Sequence, residues 1–186
     1  MTTIVNVARQ AAKEFGDKVT VIDSGSLSMG LGFQVLSAVE ETEPSIKSVI
    51  EAIESTKKKL KVIAALDTME YLKRSGRVPS VVANLGGMLS IKPMVEIKNG
   101  EVKPIGAVRT TKQIDEHVLN LLLEFGEMKR LAILHTNAEA RAKKLLNELM
   151  NQARMSIPRD ILFVNVTAVI GTHLGPNGLG FAAVKK

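Results

Sequence analysis

Residues 91–109, IKPMVEIKNGEVKPIGAVR, constrain the fold more than any other stretch of this chain. Two extended runs meet at Asn99-Gly100, a pair that tolerates the positive φ angles of a type I′ turn. The spacing predicts a β-hairpin closed by two residues. Pro93 and Pro104 have no N–H to give to a ladder, so they belong at a strand start or on a sheet edge.

On either side of the hairpin the chain alternates between helical and extended patterns. Ile4, Ala8, Ala11 and Phe15 recur at helical spacing, VTVIDS (19–24) reads as a buried strand, and MGLGFQVLSAVE as a helix entered through glycines. Pro44-Ser45 opens a further helix with Ile46, Val49, Ile50 and Ile53 on one face, and KVIAALD (61–67) is a second β-rich run. This alternation argues for an α/β layer with a parallel sheet. The chain enters directly on a helix, with no strand before it. After Asp67, TMEYLKRSGRV reads as a short helix and a basic loop, and PSVVANLGGML as helical until Gly86-Gly87 weakens it. Ile114, Val118, Leu121, Leu122 and Phe125 form an apolar stripe, and RLAILHT is a strand. Thr136 and Glu139 make a capping box for the next helix, whose core face is Leu145, Leu146, Leu149 and Met150. ILFVNV and LGFAAVK close the chain as strands. A boundary near residue 67 divides an α/β part, 1–66, from an α+β part, 67–186.

Composition narrows the class. Zero cysteines among 186 residues exclude disulfides and thiolate zinc sites and agree with a reducing cytoplasm. A net charge of +6 attracts anionic partners, but the one basic run, Lys57-Lys58-Lys59, ends a helix where cations complement the dipole. With 3% aromatics, no Trp and one Tyr, there is no platform on which bases would stack, so nucleic acid is a weak candidate. Runs such as VIAAL and LAIL are too short to span a bilayer, and the first fifteen residues lack the pattern of a secretory signal.

The remaining candidates concern anions. DSGSLSMGLGF follows a β-rich run and opens a helix, yet Gly30 and Gly32 supply only two of the three fingerprint glycines, with Val at 35 and no acidic residue ending a partner strand. A helix start beside small residues can still bind some other anion. His117, His135 and His173 lack the i, i+4 spacing of a helical zinc site, and no metal is expected. Arg109 in VRTTKQ, and Arg74 and Arg77 in KRSGRV, stand beside turns, either as solvated loop charges or as a basic rim. VIGTHLGPNGLGF (169–181) packs Gly171, Gly175, Gly178 and Gly180 around Thr172 and His173. Two readings stay open for it: a loop that brings backbone and side-chain donors to an oxyanion, or an irregular turn.

Four motifs carry a resemblance. VTVIDSGSLSMGLGF, LDTMEYLKRSGRV, GMLSIKPMVEIKNGEVKPIGAVRT and VIGTHLGPNGLGF stand in the order and spacing of the DegV family, over nearly the whole chain. The resemblance implies a partial amino-terminal α/β domain followed by a carboxyl-terminal α+β domain. It also implies a cytoplasmic fatty-acid carrier without a cofactor of its own, which presents the carboxylate of a long-chain fatty acid to a fatty acid kinase for acyl-phosphate formation and phospholipid synthesis. It is not itself an enzyme. Thr172, His173 and Arg109 would meet the head group, and Arg74 and Arg77 the kinase. Met29, Leu31, Phe33, Met88, Ile91, Met94 and Ile170 would line the acyl chain. Family members carry a further amino-terminal stretch with Ser/Thr hydroxyls, which is expected to be lacking here; the unfinished sheet edge would then invite a homodimer. The alternatives are an enzyme acting on a phosphorylated small molecule and a structural remnant that binds no ligand.

Overall fold

The computed structural model describes residues 4–76, 91–153 and 157–186. The hairpin forms as its sequence dictates: β2 (Lys92–Lys98) and β3 (Glu101–Val108) pair antiparallel, and Asn99 and Gly100 take φ of 53° and 77°. Pro93 is the second residue of β2 and offers its carbonyl to the Leu66 N–H at 2.9 Å. Pro104 lies on β3, at one edge of the sheet, where the register slips and Ile105 bulges out opposite Met94 and Val95.

Four more strands complete one sheet: β1 (Leu60–Ala65), β4 (Met128–His135), β5 (Ile161–Asn165) and β6 (Leu179–Lys185). The order is β3-β2-β1-β6-β4-β5. Every neighbouring pair is antiparallel except β4–β5. The expected parallel sheet is thus confined to one β-α-β unit, because β6 inserts between β1 and β4 and reverses direction against both. β1 hydrogen-bonds to β2 and β6, so the boundary expected near residue 67 falls just after a central strand of this sheet.

Among the described residues there are seven α-helices. They are α1 (Ile4–Ala12), α2 (Met29–Val39), α3 (Ile46–Lys59), α4 (Glu70–Arg74), α5 (Thr111–Phe125), α6 (Glu139–Gln152) and α7 (Ala168–Leu174). Alternation along the strands sorts the core into two layers. Ile63, Met94, Leu131, Ile133, Phe181 and Ala183 face α5 and α6 through Ile114, Val118, Leu122, Leu145 and Leu149. Val62, Leu66, Val95, Ile97, Leu134 and Ala182 face Phe33 of α2 and Leu72 of α4, with Leu174 of α7 beside them.

Several local expectations are corrected. VTVIDS forms no strand, since no described strand offers it a ladder. The first helix ends at Ala12 and passes into a 3-10 stretch broken at Gly16 (φ 55°); Ile4 and Phe15 are exposed rather than core. Ser45 caps α3 in a reciprocal box with Ser48. Thr136 does not cap α6: the helix starts at Glu139 behind Ala138, and His135 Nδ1 accepts the Ala138 N–H at 3.2 Å. Met150 is exposed, on the outer side of α6. The helix expected at 79–89 lies outside the described residues.

Candidate functional site

The topology gathers the candidate residues at one edge of the sheet. β1, β3, β4 and β5 end there, and β2 and β6 begin there, as the pairs Ala65–Leu179, Lys92–Val108, His135–Leu179 and His135–Asn165 require. Arg109 follows β3 directly, Arg74 lies on α4 after β1, and α7 with Thr172 and His173 connects β5 to β6. Arg77 and Met88 lie outside the described residues.

The glycine-rich segment is a short helix and a tight turn. α7 includes Gly171, Thr172 and His173 and stops at Gly175, whose φ of 73° suits glycine. The backbone donors at Gly171, Gly175 and Gly178 are engaged within the fold. Gly171 N–H donates to Thr167 O at 2.9 Å, Gly175 N–H to Gly171 O at 2.8 Å, and Gly178 N–H to Thr136 Oγ1 at 2.6 Å. The missing Cβ atoms serve close packing: Tyr71 lies against Gly175, and the Ile63 carbonyl against Gly180. The glycines themselves therefore offer an anion no nest of amides. Thr172 is exposed, its hydroxyl donating to Val169 O at 2.9 Å, and His173 is half-buried in the last helical turn.

A polar network that sequence reasoning missed underlies this edge. Lys92 Nζ donates to Asp67 Oδ1 at 2.5 Å, and the Thr111 hydroxyl reaches the same oxygen at 3.1 Å. Arg141 Nε donates to Asp115 Oδ1 at 2.6 Å. Burial raises the Asp67 pKa, but the hydrogen bond and charge of Lys92, the Thr111 hydroxyl and the charge of Arg141 outweigh it and hold the carboxyl below its ordinary value. The signal available in sequence was Arg141 itself, a cation in the first turn of a helix, where the dipole disfavours it. Arg109 stays exposed on the rim, its N–H accepted by Gln113.

Behind the edge runs an apolar cleft between the sheet and α7. Leu27, Ser28, Val62, Ile97, Leu134, His135, Val166, Ile170 and Leu174 line it, and it is narrow, a cavity of about 20 Å³. Of the expected lining residues, Ile170 is in its wall. Met29, Phe33 and Ile91 belong to the core layer on the same face of the sheet. Met94 points to the opposite layer, against α5 and α6, because strand alternation sends it there, and Leu31 lies exposed on the outer side of α2. Neither contributes to this cleft. Among the described residues no cluster of His, Asp or Glu could hold a metal, and no helix is long and apolar enough to cross a membrane.

The chain belongs to the DegV family, whose model, described as "Uncharacterised protein, DegV family", matches residues 1–186. A DegV domain-containing protein of Deinococcus radiodurans is 31% identical over 96% of this chain and 64% of its own length. Protein DegV of Bacillus subtilis is 32% identical over 91% and 62%. The chain thus spans less than two thirds of the length of these curated relatives. Among solved structures, a DegV family protein of Thermus thermophilus, described by its fatty acid binding, matches with a TM-score of 0.86 and 31% identity, over 100% of this chain and 67% of that one. A protein of Thermotoga maritima described as revealing a fatty acid binding function matches at 0.82 and 27%, over 100% and 65%.

Proposed function

We propose that this chain is a carrier that buries a long-chain fatty acid and presents its carboxylate at the end of the strands beside α7. The observation that carries the reading is a narrow aliphatic cleft walled by Ile170 and Leu174 of α7, the same short helix that carries Thr172 and His173. Each buried methylene contributes about 0.8 kcal/mol, so a long acyl chain supplies on the order of 10 kcal/mol before the costs of binding. The head group needs orientation more than affinity. His173 donates to the carboxylate, and Thr172 exchanges its bond to Val169 O for one to the ligand. The similarity to the Thermus and Thermotoga fatty-acid-binding proteins supports the same ligand class.

Arg109 flanks the head group, and Arg74 on α4 faces a fatty acid kinase that transfers a phosphoryl group from ATP to the carboxylate oxygen, yielding acyl-phosphate and ADP. The carrier takes no part in the bond changes. The exposed apolar side chains of α2, Leu31, Val35, Leu36 and Val39, are offered to a second copy of the chain; light scattering of a monomer at all concentrations would refute that arrangement.

The test is denaturing mass spectrometry of the purified chain and of a His173→Ala variant. A co-purified long-chain acid, with loading reduced about tenfold by the substitution, is the expected result, since one hydrogen bond to a charged group is lost. Absence of any acid from the wild-type chain after exposure to fatty acids would overturn the reading.

A further inference from the structure

Arg141 touches both turns that flank the proposed head-group site. Its side chain is only 13% exposed. Nε donates to Asp115 Oδ1 at 2.6 Å, one terminal nitrogen donates to Asn177 O at 2.6 Å, and the other reaches Thr111 O at 3.5 Å. Asn177 stands four residues after His173, in the turn that ends the α7 segment. Thr111 stands two residues after Arg109, and Asp115 one turn further along α5.

We infer that Arg141 is a positioning residue that sets the separation between His173 and Arg109 for an anionic head group, an inference that rests on the fatty-acid reading above. A partly desolvated guanidinium is tolerated only when its donors are met, and Asp115 alone would neutralise its charge. The additional bond to the Asn177 carbonyl is what ties α6 to the turn after His173. That turn does not depend on Arg141 for its own shape. Thr136 already holds it, accepting Gly178 N–H at 2.6 Å and Asn177 N–H at 2.9 Å, and donating its own N–H to Gly178 O at 3.0 Å. What the guanidinium adds is the relation between two turns. A planar fork with donors at fixed angles can hold that relation; the single ammonium of lysine cannot. The guanidinium donates into the fold, so it acts on the ligand through His173 and Arg109.

The test compares oleic acid with its methyl ester, each displacing a fluorescent fatty acid from the full chain. The proteins are wild type, His173→Ala, Arg141→Lys and Asp115→Asn. The ratio of acid to ester affinity isolates the head group from the acyl chain. Wild type is expected to prefer the acid, and Arg141→Lys and Asp115→Asn to lower that preference about tenfold with ester affinity unchanged. Asp115→Asn keeps the arginine and carries the same comparison if Arg141→Lys does not fold. Acid and ester affinities falling together, or acid preference intact in both variants while His173→Ala loses it, would overturn the positioning role alone. No acid preference in wild type would overturn the head-group reading and this inference with it.

Discussion

The Asp67 carboxylate leaves the end of β1 into a half-buried niche where Lys92 and Thr111 both donate to it. Its pKa in the folded chain lies below the ordinary value of 3.8, so the native state binds its proton less readily than the unfolded chain does. The stability this supplies is complete above the unfolded pKa and is lost as the pH falls through the lower, folded value. Urea midpoints of wild type and Asp67→Asn should therefore differ most near neutrality and draw together as the pH falls below the unfolded value of 3.8; a constant gap would mean that the charge of Asp67 does not matter. This residue was not legible in advance, because nothing local to LDTM announces a lysine 25 positions away. Thr136 escaped for the same reason. Its sequence neighbours advertise a helix cap, but its hydroxyl accepts from Gly178, 42 residues on. The short helix that carries Thr172 and His173 was hidden by the glycines on either side.

Elements whose cause is local were read correctly. Asn99-Gly100 closes its hairpin because both residues accept positive φ, and Ser45 caps α3 because its hydroxyl meets the Ser48 N–H at 3.0 Å. The strand expected at 19–24 failed because a strand needs a neighbour, and apolar content alone does not supply one. Partner choice was equally hidden: the alternation of helix and strand suggested parallel pairing, while β6 imposes antiparallel pairing on both sides. The edge strand β3 carries its own protection. Pro104 withholds a donor and Ile105 bulges out of register, which blunts a row of backbone groups that would otherwise template another strand. Pro104→Val should leave the fold intact by circular dichroism yet increase light scattering with time and concentration. Equal scattering by the two proteins would assign the protection to the bulge instead.

At the scale of the whole molecule, apolar exposure is uneven. Nine of the fourteen large exposed apolar side chains of the described residues lie between Ile4 and Ile46, among them Val35 and Val39 on α2. A surface of this kind binds hydrophobic dyes. The chain should enhance 1-anilinonaphthalene-8-sulfonate fluorescence in its native state, and Val35→Lys with Val39→Lys should reduce that signal without lowering the thermal midpoint. A midpoint that falls with the signal would mean that these side chains are packed rather than displayed. The strand order has a consequence for how the chain reaches this state. β6 is the last strand in sequence, yet it alone joins β3-β2-β1 to β4-β5. Before it inserts, two partial sheets share no ladder, and each shows an unpaired inner edge. Pairing of Lys61 with Ala183 closes a very long loop, a contact that costs chain entropy before it is rewarded. Until that contact forms a competing strand could enter the gap, and the finished sheet owes its continuity to the strand that stands last in the sequence.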